Sequence, residues 1–289
     1  MTRKEAPVTL TGGRGFDFED AVAAFFELQM ITAGKYLGGE YGQIVNLEFQ
    51  ARDSGWLLDD LVVSFRSDDV IRHLAISIKS NQQVTRNGFP SDFVHQAWEQ
   101  WLGVGPGVFQ EGRDLLALAV GRLGSKIKAA WHDLLQEARD TTPDRLLQRI
   151  KSRRQSSGLK RAVFQSLLPP RDLRRGRNAE QETARLLPHI RLLHFDFLED
   201  PSGDHARALE SCQHVLWSED AREAQRLWEK LELIASTHRK AGGRGRSQFR
   251  EPRRWRWFRL TQPSGRAQQH ASCFGHWNSC RWCTSCVGC

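Results

Sequence analysis

Two kinds of residue between Gly55 and Gln82, in G-W-L-L-D-D-L-V-V-S-F-R-S-D-D-V-I-R-H-L-A-I-S-I-K-S-N-Q, could do chemistry: the adjacent carboxylates Asp59 and Asp60, and the amine of Lys79. The acids interrupt one apolar run and the lysine closes the next. A buried strand does not accept an ionised Asp or Lys without a compensating partner, and a divalent cation is a natural one. Carboxylates hold such an ion beside a phosphate, where it polarises the phosphoryl oxygen and lowers the pKa of a bound water. A nearby lysine answers the negative charge that develops. Glu19, on an amphipathic stretch upstream, is a third candidate.

These side chains must be positioned by regular elements, and the patterning predicts which. Phe16 to Ile31 has apolar residues at helical spacing, with Asp17, Glu19 and Asp20 in its first turn, where the helix dipole favours negative charge. Thr11-Gly-Gly-Arg-Gly15 before it reads as a flexible lead-in, and it lacks the Gly-Lys-Ser/Thr of a phosphate loop. Gln43–Ala51, Trp56–Phe65 and Ile71–Lys79 read as strands with short breakers between them, which favours an antiparallel meander. A helix from Ser91 to about Leu102 and a strand over Asp114–Val120 complete the order helix, three strands, helix, strand. Alternation along the second strand puts only one of Asp59 and Asp60 on the Lys79 side. Spacing alone leaves that choice open.

Downstream, amphipathic helices are expected over Ser125–Arg139, Asp144–Lys151, Lys160–Leu168, Asn178–Leu187, Asp204–Trp217 and Glu219–His238, with a further strand at Leu192–Leu198. This implies an α/β core over residues 1–124 and a helical extension over 125–240. After Ala241 the patterning stops. Arg239 to Cys289 holds 11 Lys and Arg against the single acid Glu251, leaving 31 of the 42 bases and 33 of the 34 acids for the first 238 residues. The chain's net charge of +8 therefore belongs to the tail. Five of six cysteines lie there too, at Cys273, Cys280, Cys283, Cys286 and Cys289. Their spacing formally suits zinc or an iron-sulfur cluster, and the abrupt change of composition equally suits a disordered segment or a shifted reading frame. No apolar run long enough to span a membrane and no secretion signal is visible, so the expectation is a cytoplasmic protein without a membrane partner.

Four segments, G-F-D-F-E-D at Gly15–Asp20, G-W-L-L-D-D-L at Gly55–Leu61, S-I-K-S-N at Ser77–Asn81 and G-F-P-S-D-F-V at Gly88–Val94, together resemble the PD-(D/E)xK endonuclease superfamily. More narrowly they resemble the N-terminal effector nucleases that precede a STAND-type NTPase in bacterial anti-phage proteins. The resemblance spans roughly the first 240 residues. It implies a restriction-endonuclease-like core, Mg²⁺ (or Mn²⁺) as cofactor, double-stranded DNA as substrate, and homo-oligomers in a full-length protein. Carried over, Asp60 is the metal-binding aspartate, Lys79 the catalytic lysine, Glu19 an accessory acid, and the Ile78 carbonyl a further ligand. Ser77 stands where the superfamily usually has an acid, and a hydroxyl is a weak ligand for Mg²⁺.

The same residues admit other readings. Asp59-Asp60 could guard a strand edge and Lys79 could be a solvated strand end. Glu19 could serve a helix N-terminus, Asn81 and Gln82 a turn, and Trp98 and Trp101 the core. The whole could be a catalytically silent module for DNA binding or dimerisation, or a regulatory protein acting through its Cys-rich tail.

Overall fold

The computed structural model describes residues 9–38, 41–104, 108–174, 176–241 and 246–247; the Arg/Trp run and the tail cysteines lie outside them. In chain order the elements are α1 (Thr9–Ile31), β1 (Gln43–Phe49), β2 (Leu61–Ser67), β3 (Val70–Lys79), α2 (Ser91–Trp101), β4 (Leu115–Val120), α3 (Ser125–Asp140), α4 (Pro143–Lys151), α5 (Gly158–Ser166), α6 (Ala179–Leu186), β5 (Ile190–His194), α7 (Gly203–Leu216), α8 (Ala221–Lys240) and β6 (Arg246–Ser247).

The strands form one mixed sheet in the order β5-β4-β3-β2-β1-β6. The short breakers produce the expected antiparallel pairs β1/β2 and β2/β3. β3/β4 and β4/β5 are parallel, each joined by helical crossovers. β4 is buried along its whole length, as a central strand covered on both faces must be. Alternation then sorts the side chains. Ala75, Leu116, Leu118 and Val120 pack under α2 to α6, while Leu74, Ile76, Ile78, Ala117 and Ala119 pack under α1. On that second face α7 and α8 seal α1 from outside through Ala208, Cys212, Ala224, Trp228 and Leu231. The architecture is α/β, a sheet between two helical layers. Among the described residues no helix is long and apolar enough to cross a membrane.

Several boundaries differ from expectation for physical reasons. α1 starts at Thr9, so the glycines expected to form a flexible lead-in are helical. Each Gly costs about 1 kcal/mol relative to Ala, a weak bias against a helix already anchored by the buried Phe18, Val22 and Phe26. Residues 55–60 are an arch rather than the start of a strand. The arch is buried beneath α2, where Gln100 accepts from the Leu57 N–H at 2.6 Å and donates to the Gly55 carbonyl at 3.3 Å. Its apolar residues Trp56 and Leu58 are therefore buried as core without strand pairing. β5 ends at His194, and Phe195 and Phe197 leave the sheet, stacked at 5.5 Å, to meet Phe25 of α1.

One stretch of the α2–α6 layer is strongly basic. Residues 145–177 hold 11 Lys and Arg and one acid, Asp172. Among the described residues the exposed Arg145, Arg149, Arg153, Arg154, Arg171 and Arg177 make no ion pair.

Candidate functional site

The register of the β2/β3 hairpin decides what meets at the end of the sheet. Leu61 pairs with Ile76, so Asp60, the last residue of the arch, lies opposite the final turn of β3. One of its oxygens, Oδ2, accepts from the Ile78 N–H at 2.7 Å, from Lys79 Nζ at 3.1 Å and from Ser77 Oγ at 3.3 Å. Ser77 and Lys79 are two apart and share a face of β3. The N–H and C=O of one strand residue point to the same side, so the Ile78 carbonyl is directed to the same side as the N–H that holds Asp60. No hydrogen bond reaches Asp60 Oδ1 among the described residues.

Glu19 approaches from α1. It lies well inside this helix, not in its first turn, so service to the helix N-terminus does not explain it. Burial and, second, the negative charge of Asp60 push its carboxyl up to about 7, against the lowering effects of Arg239 and Lys79. Asp59 lies 3.9 Å from the Arg52 guanidinium, and its carbonyl accepts from the Ala51 N–H at 2.9 Å. Burial, then Asp60, raises its pKa. Of the two adjacent acids, Asp60 is the one that meets Lys79.

What the cluster offers a metal is a hard, oxygen-only set. Mg²⁺ binds through one or two carboxylates and keeps several waters; Asp60, Glu19 and the Ile78 carbonyl are oxygen donors of that class. They do not form a closed protein cage, since among the described residues no three His, Cys, Asp or Glu side chains converge. Ser77 spends its hydroxyl proton on Asp60. Lys79, whose side chain is 31% exposed, retains donors for a ligand phosphate.

The other singled-out residues divide. Trp98 is core, its Nε1 donating to the Leu167 carbonyl at 2.8 Å. Trp101 packs against Phe109 and His189. Asn81 accepts from Ser80 Oγ at 3.1 Å in the turn after β3. Gln82 donates to Asp92 at 3.0 Å, at an open cleft of about 310 Å³ also lined by Thr85, Asn87 and Phe89. Gly88 in this loop has φ +92°, and a Cβ there would fall 1.9 Å from that of Ser166. Sequence reasoning missed Arg239 and Asp20. Arg239 binds Asp20 with a two-pronged contact, Nε to Oδ1 at 2.8 Å and a second guanidinium nitrogen to Oδ2 at 2.9 Å. Only the acidic run at Asp17–Asp20 hinted that a cation would be needed there.

No family model and no curated protein matches the chain. Solved structures do. The Acinetobacter baumannii Cap4 SAVED/CARF-domain containing receptor with the cyclic trinucleotide 3′3′3′-cAAA is similar at 11% identity and TM-score 0.44, over 82% of this chain and 42% of that one. The same receptor with 2′3′3′-cAAA gives 13% and 0.42 over the same shares. The Moraxella osloensis Cap4 receptor gives 13% and 0.42 over 79% of this chain and 44% of that one. The chain thus spans less than half the length of these receptors.

These findings correct the sequence resemblance. The two Acinetobacter baumannii structures are receptors with a cyclic trinucleotide and the Moraxella osloensis protein is a receptor of the same kind; they are not PD-(D/E)xK nucleases before a STAND-type NTPase, and the ligands present are cyclic trinucleotides, not double-stranded DNA. The α/β class is shared, and a restriction-endonuclease core is not shown. The assignment as a Mg²⁺-dependent endodeoxyribonuclease of double-stranded DNA is withdrawn. The physical reason is the weakness of the motif: an acid entering one strand and a lysine closing the next is what the Leu61–Ile76 register of an ordinary hairpin produces. Such an arrangement does not by itself specify a chemistry.

Proposed function

We propose that this chain is a nucleotide-binding module that takes hold of a phosphodiester at the Asp60–Lys79 site through a divalent cation, Mg²⁺ or Mn²⁺. Asp60 and Glu19 hold the ion with help from the Ile78 carbonyl, Ser77 is at most a weak ligand, and Lys79 faces the phosphate. In this proposal residues 1–124 bear the site, residues 125–240 complete the sheet and the outer helices, and the setting is antiviral defence in the cytoplasm. The single observation that carries the reading is the Asp60 carboxylate gripped by an amide, a hydroxyl and a lysine at a strand end, with a second acid electrostatically coupled to it. The unpaired arginines over residues 145–177 favour a phosphate-bearing ligand in general.

The test uses the whole chain, Mn²⁺ and two trinucleotides, 3′3′3′-cAAA and linear adenosine trinucleotide, in titration calorimetry. The reading expects Mn²⁺ binding that weakens by more than about tenfold in Asp60→Asn, and trinucleotide binding that requires the cation and drops in Lys79→Met. Trinucleotide binding that is indifferent to both the cation and Lys79 contradicts it.

A further inference from the structure

The last turn of α8 reaches back to the acids of α1. Arg239 grips Asp20 with both prongs at 2.8 and 2.9 Å, and its Nε lies 3.8 Å from Glu19 Oε2. Its guanidinium also covers the Phe16 ring at 4.4 Å. Around it, Ala235 is buried against the sheet and His238 stacks on Phe49 of β1 at 5.5 Å. The charged groups facing Glu19 are Asp20 from its own helix, Asp60 and Lys79 from the sheet end, and Arg239 from α8; Asp17 faces Arg239, and Glu232 of α8 faces Asp17 and Asp20. Arg239 is the α8 member of this set that directly opposes the acids with positive charge.

Resting on the cation site proposed at Asp60 and Glu19, we infer that Arg239 is a resident counter-cation that competes with the divalent ion for the α1 acids, so that the seating of α8 sets the affinity of the site. The backbone under Glu19 does not need Arg239 to stay in place, because the flanking Phe18 and Val22 are fully buried. What Arg239 supplies is charge. Farther along the chain, Arg246–Ser247 pairs with β1 at Leu47 and Glu48. A displacement of the last turn of α8 that carries Arg239 away removes a positive charge from beside Glu19 and strengthens cation binding.

The experiment measures Mn²⁺ affinity of the full chain by loss of the free-ion electron paramagnetic resonance signal, with melting followed in parallel. Arg239→Gln should bind Mn²⁺ about fivefold more tightly, the effect of removing one partly screened charge a few ångströms from a ligand. Arg239→Lys, which keeps the charge and loses the fork, should stay within about twofold of wild type while melting lower. Asp20→Asn, which leaves Arg239 to Glu19 alone, should bind about threefold more weakly. Affinity that falls in Arg239→Gln and Arg239→Lys alike, or stays unchanged in both while only melting shifts, overturns the counter-cation role and leaves the cation site standing. A wild-type chain that does not bind Mn²⁺ overturns both.

Discussion

Glu19 and Glu27 lie two turns apart on α1, and burial raises the carboxyl pKa of both, yet their surroundings are opposite. Glu19, pushed up to about 7, looks onto Asp60, Lys79 and Arg239. Glu27, pushed up to about 8 by burial alone, is 1% exposed, and neither of its oxygens has a hydrogen-bond partner among the described residues. One acid sits in a field of charges that a cation can reorganise. The other answers its burial by keeping its proton. The comparison teaches that a perturbed carboxyl does not by itself mark a site; the partners it shares do.

The largest expected effect follows from Glu27. Its folded-state pKa lies above the usual value of 4.5, so the folded chain holds this proton more tightly than the unfolded chain. The associated stability is fully present below about pH 4.5 and is lost as pH rises toward 8. On this basis wild type should lose on the order of 3 kcal/mol between pH 5 and pH 9 from this group, and Glu27→Gln should flatten that slope. Denaturant melts at the two pH values check it. A slope unchanged in Glu27→Gln would mean that the carboxyl finds a partner in solution and that the contrast with Glu19 is false.

A smaller effect concerns the arch that delivers Asp60. Gln100 is buried and serves the Leu57 N–H and the Gly55 carbonyl. Gln100→Ala leaves both without that partner and should cost about 2 kcal/mol, with a matching rise in hydrogen exchange at Leu57. If the arch positions Asp60, Mn²⁺ affinity should fall in the same variant. An unchanged affinity would show that β3 alone holds the aspartate.

Much of this arrangement was legible in sequence because it is local. The β2/β3 hairpin is closed by Arg66-Ser67-Asp68-Asp69, and its alternation carries Ser77 and Lys79 to one face. The α8 stripe of Ala224, Trp228 and Leu231 was legible for the same reason, since a period of 3.6 survives in a list of residues. What was not legible depends on partners far along the chain. Trp56 and Leu58 resemble strand residues until α2 is laid over them, because burial and pairing select the same side chains. Arg239, 219 residues from Asp20, looked like the first of a run of tail charges. The nuclease expectation failed at another level, since short motifs describe local geometry and not what the geometry is used for.

The most direct test of the central claim, that Glu19 and Asp60 share a cation, is the number of protons released when Mn²⁺ binds, read by calorimetry in buffers of different ionisation enthalpy. With the Glu19 carboxyl raised to about 7, binding at pH 6 should release about one proton per ion, falling toward zero above pH 8, and Glu19→Gln should release none. Binding without proton release at pH 6, or release that persists in Glu19→Gln, would contradict it.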